Sequence, residues 1–373
     1  SLLGTGSVVL GAGADIRTSI TGAGSGSIDV LAGSGAITQD ASSALVSGGA
    51  SATARLQAAT GVTVGDIELN DGAVSISAGT GSIVDADALV GGANDADQDI
   101  SAAALRLSAG SGVGESLNHL ETSVATLSAL AGNGGVYLLE ADAVSVGDVG
   151  LSVNRVGSDG ALTVVTDASQ SDITSGNNGA IVLRSTAGGI TLSDGANADG
   201  VAISAHGSGN VLVQTLGANQ DITAGANADI SSTSGNISLL GAGSVVFNAG
   251  ADIRTSSTAA GSGSIDVLAG TGSITQSATS VFLSTGATAT ARLLAATSVT
   301  VGDIELSLGQ VSITATAGAI LDADPDSSTN DTDQDITASA LRMKAGTGIA
   351  GNVNHLETTV VTLSARAGNG SSY

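Results

Sequence analysis

Gly26–Val30 reads GSIDV, and Gly263–Val267 reads the same five letters again. Each is a glycine, a small polar residue and then an apolar–x–apolar triplet. The pattern recurs as GSVVL at Gly6–Leu10, GAVSI at Gly72–Ile76, GAIVL at Gly179–Leu183, GNVLV at Gly209–Val213 and GNISL at Gly235–Leu239. Such a triplet has the period of a strand, with two side chains inward and one outward. The glycine before it reads as backbone freedom for a tight corner. Strands this short cannot stand alone, and helical i, i+3, i+4 spacing is almost absent. The chain is therefore expected to be all-β: a β-solenoid with two or three short strands per coil, each stacked about 4.8 Å from the same strand of the next. Clean triplets fall roughly 20 residues apart, which predicts coils of about 20–22 residues. Val8, Ile28, Val74, Leu105, Ile181, Val211 and Ile237 should point inward and stack in rows. A β-sandwich array, the rival, would need longer strands and a more aromatic core.

A longer period contains the short one. GADIRTS stands at Gly13–Ser19 and again at Gly250–Ser256. Extended outward, Ser1–Tyr137 aligns with Ser238–Tyr373 across a one-residue gap near Pro325, with 91 of 136 positions identical. Residues 1–237 thus read as one complete long repeat and 238–373 as a partial second copy, in a continuous rod with no globular boundary. On this reading the native polypeptide continues past Tyr373 with a segment like Leu138–Gly150, and Ser1 is preceded by one like Gly235–Ile237. Two stretches break the beat and read as loops: Asp85–Asp99, with its twin at Asp322–Asp335, and Gly112–Glu121.

Composition narrows the function classes. There are 55 glycines, one proline, no cysteine and no tryptophan, and the aromatics are Tyr137, Tyr373, Phe247 and Phe282. A chain so poor in aromatics must bury many small aliphatics, which suits a thin core repeated along an axis. The net charge is −24 with a single lysine, Lys344, so there is no basic stripe for nucleic acid. No apolar run approaches the roughly 18 residues of a membrane span. The acidity favours solubility and divalent cations.

GSIDVLAGSGAITQD (Gly26–Asp40), QDISAAALRLSAGSGVG (Gln98–Gly114) and LNHLETSVATLSALAGNGGVY (Leu117–Tyr137) resemble the large haemagglutinin-like exoproteins of bacteria, of the filamentous haemagglutinin type. His119 and His355 stand where many such proteins carry proline. The resemblance implies a parallel right-handed β-helix exported to the cell surface or beyond, with a role in adhesion or an extracellular matrix. It implies no catalytic residues.

Candidate chemistry is sparse. Asp95, Asp97 and Asp99, with Asp331, Asp333 and Asp335 in the second copy, are the densest charge in the chain. Aspartates at i, i+2 and i+4 would share one face of an extended segment, where calcium favours clustered oxygens. The glycine and the distal glutamate of an EF-hand loop are missing, with Ile100 standing where glycine should be, so a solvated acidic loop competes with a calcium site and is favoured over it. His119 with Glu121, and His355 with Glu357, offer too few ligands for a metal and read as polar loop anchors. Runs such as GAGSGS (Gly22–Ser27) lack the helix and lysine of a phosphate loop. Arg17, Arg55 and Arg106 return as Arg254, Arg292 and Arg342, placed for surface ladders with aspartates of adjacent coils, each worth about 0–1 kcal/mol.

The expected function is a structural segment of a giant extracellular repeat protein, forming a surface rod, filament or matrix fibre. Its partners would be further copies, other chains of the fibre and cell-surface ligands. The alternatives are an adhesin binding ligands through projecting loops and, less favoured, a carbohydrate-active β-helix enzyme. Little basic or aromatic chemistry accompanies the aspartates, which argues against the enzyme.

Overall fold

The computed structural model of the chain describes residues 1–18, 26–92, 94–95, 97–256, 263–324, 333–351 and 353–372. Among these the chain is all-β, without a helix. Contacts divide it into two compact units, Ser1–Leu183 and Arg184–Tyr373. The sequence repeat turns over elsewhere, at Ile237/Ser238, because it follows like residues whereas the units follow contacts.

In the first unit the strands fall on three faces. The first carries Leu2–Gly4, Ser27–Ala32, Thr53–Ala58, Ala73–Ala78 and the later halves of Ile100–Ala109 and Leu120–Ala131. The second carries Val8–Leu10, Ile37–Gln39, Val62–Val64, Ile83–Asp85, Gly112–Val113 and the early half of Gly135–Glu140, whose later half pairs with Leu120–Thr122 on the third face. The third carries Ile16–Thr18, Ala44–Ser47, Asp66–Glu68 and the early halves of the two long strands. All these pairings are parallel. This is a parallel β-helix with three strands per coil. The two long strands cross from the third face to the first without a break. Where Asn70 (φ 45°) and Gly72 turn one coil, the next offers only alanines in ISAAALRLSA, and the strand runs on.

The second unit repeats the plan. On its first face Val211 lies beside Ile237, then Ile265, Ala291, Val311, Leu341 and Leu363. These steps are 26, 28, 26, 20, 30 and 22 residues. In the first unit Ile28 lies beside Ala54, then Val74, Leu105 and Leu127, in steps of 26, 20, 31 and 22. Along these two rows the coils run from 20 to 31 residues, and the expected 20–22 describes the shortest of them. The triplet spacing measures a coil with tight corners; longer coils spend their extra residues on loops at the corners, leaving the strands in register.

Val8, Ile28, Val74, Leu105, Ile181, Val211 and Ile237 are all buried. Each aliphatic so buried contributes about 1.5–3 kcal/mol. The rows tolerate coordinated change. Phe247 and Phe282 stand where the first copy has Leu10 and Leu45, and their rings meet edge to face at 4.7 Å and 73°.

Before several triplets the glycine has a different reason from the expected one. Gly235 and Gly263 do not adopt left-handed φ. A Cβ on Gly235 would lie 2.1 Å from the Gly209 carbonyl oxygen, and one on Gly263 2.6 Å from that of Gly235. Close passage of the neighbouring coil's backbone selects glycine there. Left-handed corners fall to other glycines, Gly13 and Gly250 among them, and to asparagines at Asn70, Asn177, Asn178, Asn219 and Asn227.

One element escapes the rhythm altogether. Val149–Val156 and Leu162–Gln170 pair antiparallel as a hairpin, closed by Gly157 N–H donating to the Ala161 carbonyl at 2.8 Å. Its first strand packs across the first face of its own unit, over Ser27–Ala32, Thr53–Ala58 and Ala73–Ala78, burying Val149, Leu151 and Val153. Beneath it lies a charged seam. Arg155 donates to both carboxylate oxygens of Asp29, at 2.5 and 3.2 Å. Arg55 donates to Asp167 at 2.9 Å and Ser75 donates to the other Asp167 oxygen at 2.7 Å. Farther along, Arg106 donates to the Ala168 carbonyl at 3.1 Å, and the Gln170 amide to the Leu107 carbonyl at 2.9 Å.

The expected arginine ladders are thus partly replaced. Arg55 does face Asp29 of the adjacent coil, at 3.5 Å, but it is buried under the hairpin, and Arg106 takes a carbonyl. In the second unit Arg292 faces Asp266 at 3.3 Å, and Arg254 reaches Asp229 at 3.5 Å and also pairs with Asp252.

Candidate cation site

The Asp85–Asp99 excursion leaves the second face and returns on the third. Asp85 closes the strand Ile83–Asp85, and Asp99 immediately precedes Ile100. A loop that leaves and rejoins a coil must bring its ends close together. Glu121, second residue of Leu120–Ala131, arrives at the same corner one coil later. One oxygen each of Asp85, Asp99 and Glu121 lies within 4.8 Å of the others, and all three residues are buried.

Local hydrogen bonds hold the corner. Glu121 N–H donates to Asp99 Oδ2 at 2.7 Å, and Asp87 N–H donates to Asp85 Oδ1 at 2.6 Å. The Asn118 amide donates to Asp85 Oδ2 at 2.7 Å and to the Asp87 carbonyl at 3.1 Å. The second unit reproduces the arrangement: Glu357 N–H to Asp335 Oδ2 at 2.5 Å, Asp324 N–H to Asp322 Oδ1 at 2.8 Å, and the Asn354 amide to the Asp324 carbonyl at 3.2 Å. There Asp322, Asp324 and Asp335 form the group within 4.8 Å.

These hydrogen bonds leave oxygens over. Among the described residues, neither carboxylate oxygen of Glu121 accepts from a donor group, nor does the side-chain carbonyl of Asn118, or of Asn354 in the second unit. The Glu121 carboxyl does face that of Asp99, and two carboxyls hydrogen-bond only through a shared proton. Burial, ahead of any neighbour, raises the Asp99, Glu121 and Asp85 carboxyls above the ordinary range, and the nearby negative charges add to it. Asp87 at the rim is pushed up to about 6 by the same causes. Three carboxylates cannot all stay ionised and bare in such a place. A shared proton relieves them, and so would a divalent cation. Calcium, which takes six to eight oxygens at about 2.3–2.6 Å, matches carboxylates plus an amide carbonyl.

The sequence-predicted ligands divide. Asp99 and Asp335 enter the two groups. Asp95 and Asp97 do not: Asp95 Oδ1 accepts the Asp97 N–H at 3.0 Å, and Asp97 Oδ1 accepts the Gln98 N–H at 3.1 Å. Asp333 likewise accepts the Gln334 N–H at 3.0 Å and is exposed. Asp95, Asp97 and Asp333 each spend an oxygen on a nearby backbone N–H. Asp331 and Pro325 lie outside the described residues, as do Gly22–Ser25 of the glycine run. His119 is buried beside Tyr137, ring centroids 6.0 Å apart, and its backbone N–H donates to Asn94 Oδ1 at 2.5 Å. That is the expected loop anchor. Its neighbour Glu121 goes to the carboxylates. Asp85, Glu121, Asp322 and Asp324 escape a reading by residue spacing, though the closure of each excursion on its own first residue is a usable signal.

Comparison with protein-family models, with curated proteins and with solved structures finds no match for this chain.

Proposed function

We propose that the chain is a structural segment of a giant extracellular repeat protein of bacteria, serving in a surface rod, filament or matrix fibre and in adhesion. Duplication at the level of packing supports this most directly. The row Ile28, Ala54, Val74, Leu105 of the first unit has a counterpart in Ile265, Ala291, Val311, Leu341 of the second. Duplicating stacked coils multiplies nearest-neighbour interfaces and adds length. The haemagglutinin-like cadence of the sequence supplies the cell-surface setting, with further copies, other fibre chains and surface ligands as partners. The Asp85–Asp99 loop is tied at both ends by buried carboxylates, which favours a structural loop over a projecting adhesive tip.

Electron microscopy tests the reading, comparing the 373-residue chain with a product carrying additional copies of the repeat, and labelling the producing cells. Thin rods that lengthen with repeat number, with label at the cell surface, are expected. Globular particles that do not lengthen, or label confined to the cytoplasm, would overturn it.

A further inference from the structure

The seam under the hairpin has a twin that, among the described residues, no hairpin covers. Asp29, Arg55, Ser75, Arg106 and Ser128 of the first unit correspond to Asp266, Arg292, Ser312, Arg342 and Ser364 of the second, identical at every position. The strands that carry them pair in the same register: Asp29 beside Arg55, then Ser75, Arg106 and Ser128, and Asp266 beside Arg292, then Ser312, Arg342 and Ser364. Their surroundings differ. The Arg55 side chain is 6% exposed and that of Asp29 0%, against 50% for Arg292 and 34% for Asp266.

The bare seam shows what it lacks. Asp29 uses both carboxylate oxygens on Arg155. Asp266 uses Oδ2 on Arg292, while its Oδ1 is buried and has no hydrogen-bond partner among the described residues. Ser75 donates to Asp167 of the hairpin, whereas Ser312 receives a long 3.4 Å contact from Arg342. A groove of about 480 Å³ runs along this face, lined among others by Arg292, Gln310, Ser312, Arg342 and Ser364.

We propose that this face of the second unit is a docking site for a β-hairpin with the chemistry of Val149–Gln170. Its first strand would supply an arginine to the free oxygen of Asp266, and its second an aspartate to Arg292 and Ser312. Charge complementarity selects this occupant: the face offers one carboxylate short of a donor and one guanidinium short of a second acceptor, the two deficits that Arg155 and Asp167 meet in the first unit. Small residues at the Ser312 and Ser364 positions leave room for a strand to lie flat. The proposal is independent of the rod reading, since it concerns one face of one unit.

The test uses the full chain and a fluorescent peptide of Val149–Gln170, closed by a terminal disulfide to hold the hairpin. Saturable one-to-one binding by anisotropy is expected. Asp266→Asn in the chain, or the Arg155→Ala change in the peptide, should each weaken it at least tenfold. Asp29→Asn should leave it unchanged. An Asp266→Arg chain should regain binding only with a peptide carrying Arg155→Asp, which keeps the test valid if one variant folds poorly. Absence of binding, or binding that responds to Asp29→Asn instead of Asp266→Asn, would overturn the proposal.

Discussion

Asp99 and Glu121 illustrate how a buried corner turns ordinary acids into a cation trap or a proton trap. Their carboxyls are raised by desolvation first, and the second copy repeats the hydrogen-bonded frame around Asp335. If calcium relieves them, it binds the folded chain and not the unfolded one, so it stabilises by mass action. At about pH 8, millimolar calcium is expected to raise the melting temperature by several degrees over chelator. The double variant Asp99→Asn with Asp335→Asn should abolish that rise. A wild-type melt indifferent to calcium would leave the shared proton as the answer.

At the scale of the element, coils are spaced by backbone contact, and glycine marks where they touch. Gly235 sits with its Cα facing the Gly209 carbonyl, so an alanine methyl there would overlap a backbone atom. Backbone cannot yield as a flexible side chain would. Gly235→Ala is therefore expected to destabilise the chain by about 1–3 kcal/mol, within the range for overpacking, as a lower urea midpoint with unchanged slope. Gly13 has a left-handed φ of 67°, yet a methyl added there would meet no atom within 4 Å. Its reason for being glycine is torsional, and the two glycines belong to different classes.

Across the whole molecule, the charge of −24 and the small core act together. Asp87, Asp229 and Asp303 are each pushed up to about 6 and Glu140 to about 7, in every case mainly by burial. A carboxyl whose pKa is raised by folding binds its proton more tightly in the native state. Its stabilising contribution is complete below the unfolded pKa of about 4 and is lost as pH rises through the folded value. Without divalent ions, the melting temperature should fall between about pH 4.5 and pH 8, the steepest part lying near pH 5–7. Added salt should recover part of the loss at the alkaline end by screening. A melting temperature that climbs across this interval would show the acidic groups to be stabilised as anions.

The parallel coil, its inward aliphatic rows and the long repeat were legible in the residues alone. Alternation at i and i+2 is a property of a strand wherever it lies, so triplets such as Ile28–Val30 declare their inward side chains without reference to a partner. Which side chains meet across coils was not legible, because coils of 20 to 31 residues absorb loops of unequal length. Glu121 joins Asp99, Arg155 finds Asp29, and Gly235 meets Gly209 only once those loops have closed and set the register. A hairpin of ordinary alternating sequence likewise becomes a cover for the first face only where buried charges await it. Local periodicity decides which way a side chain points, and only the stacked fold decides what it finds there.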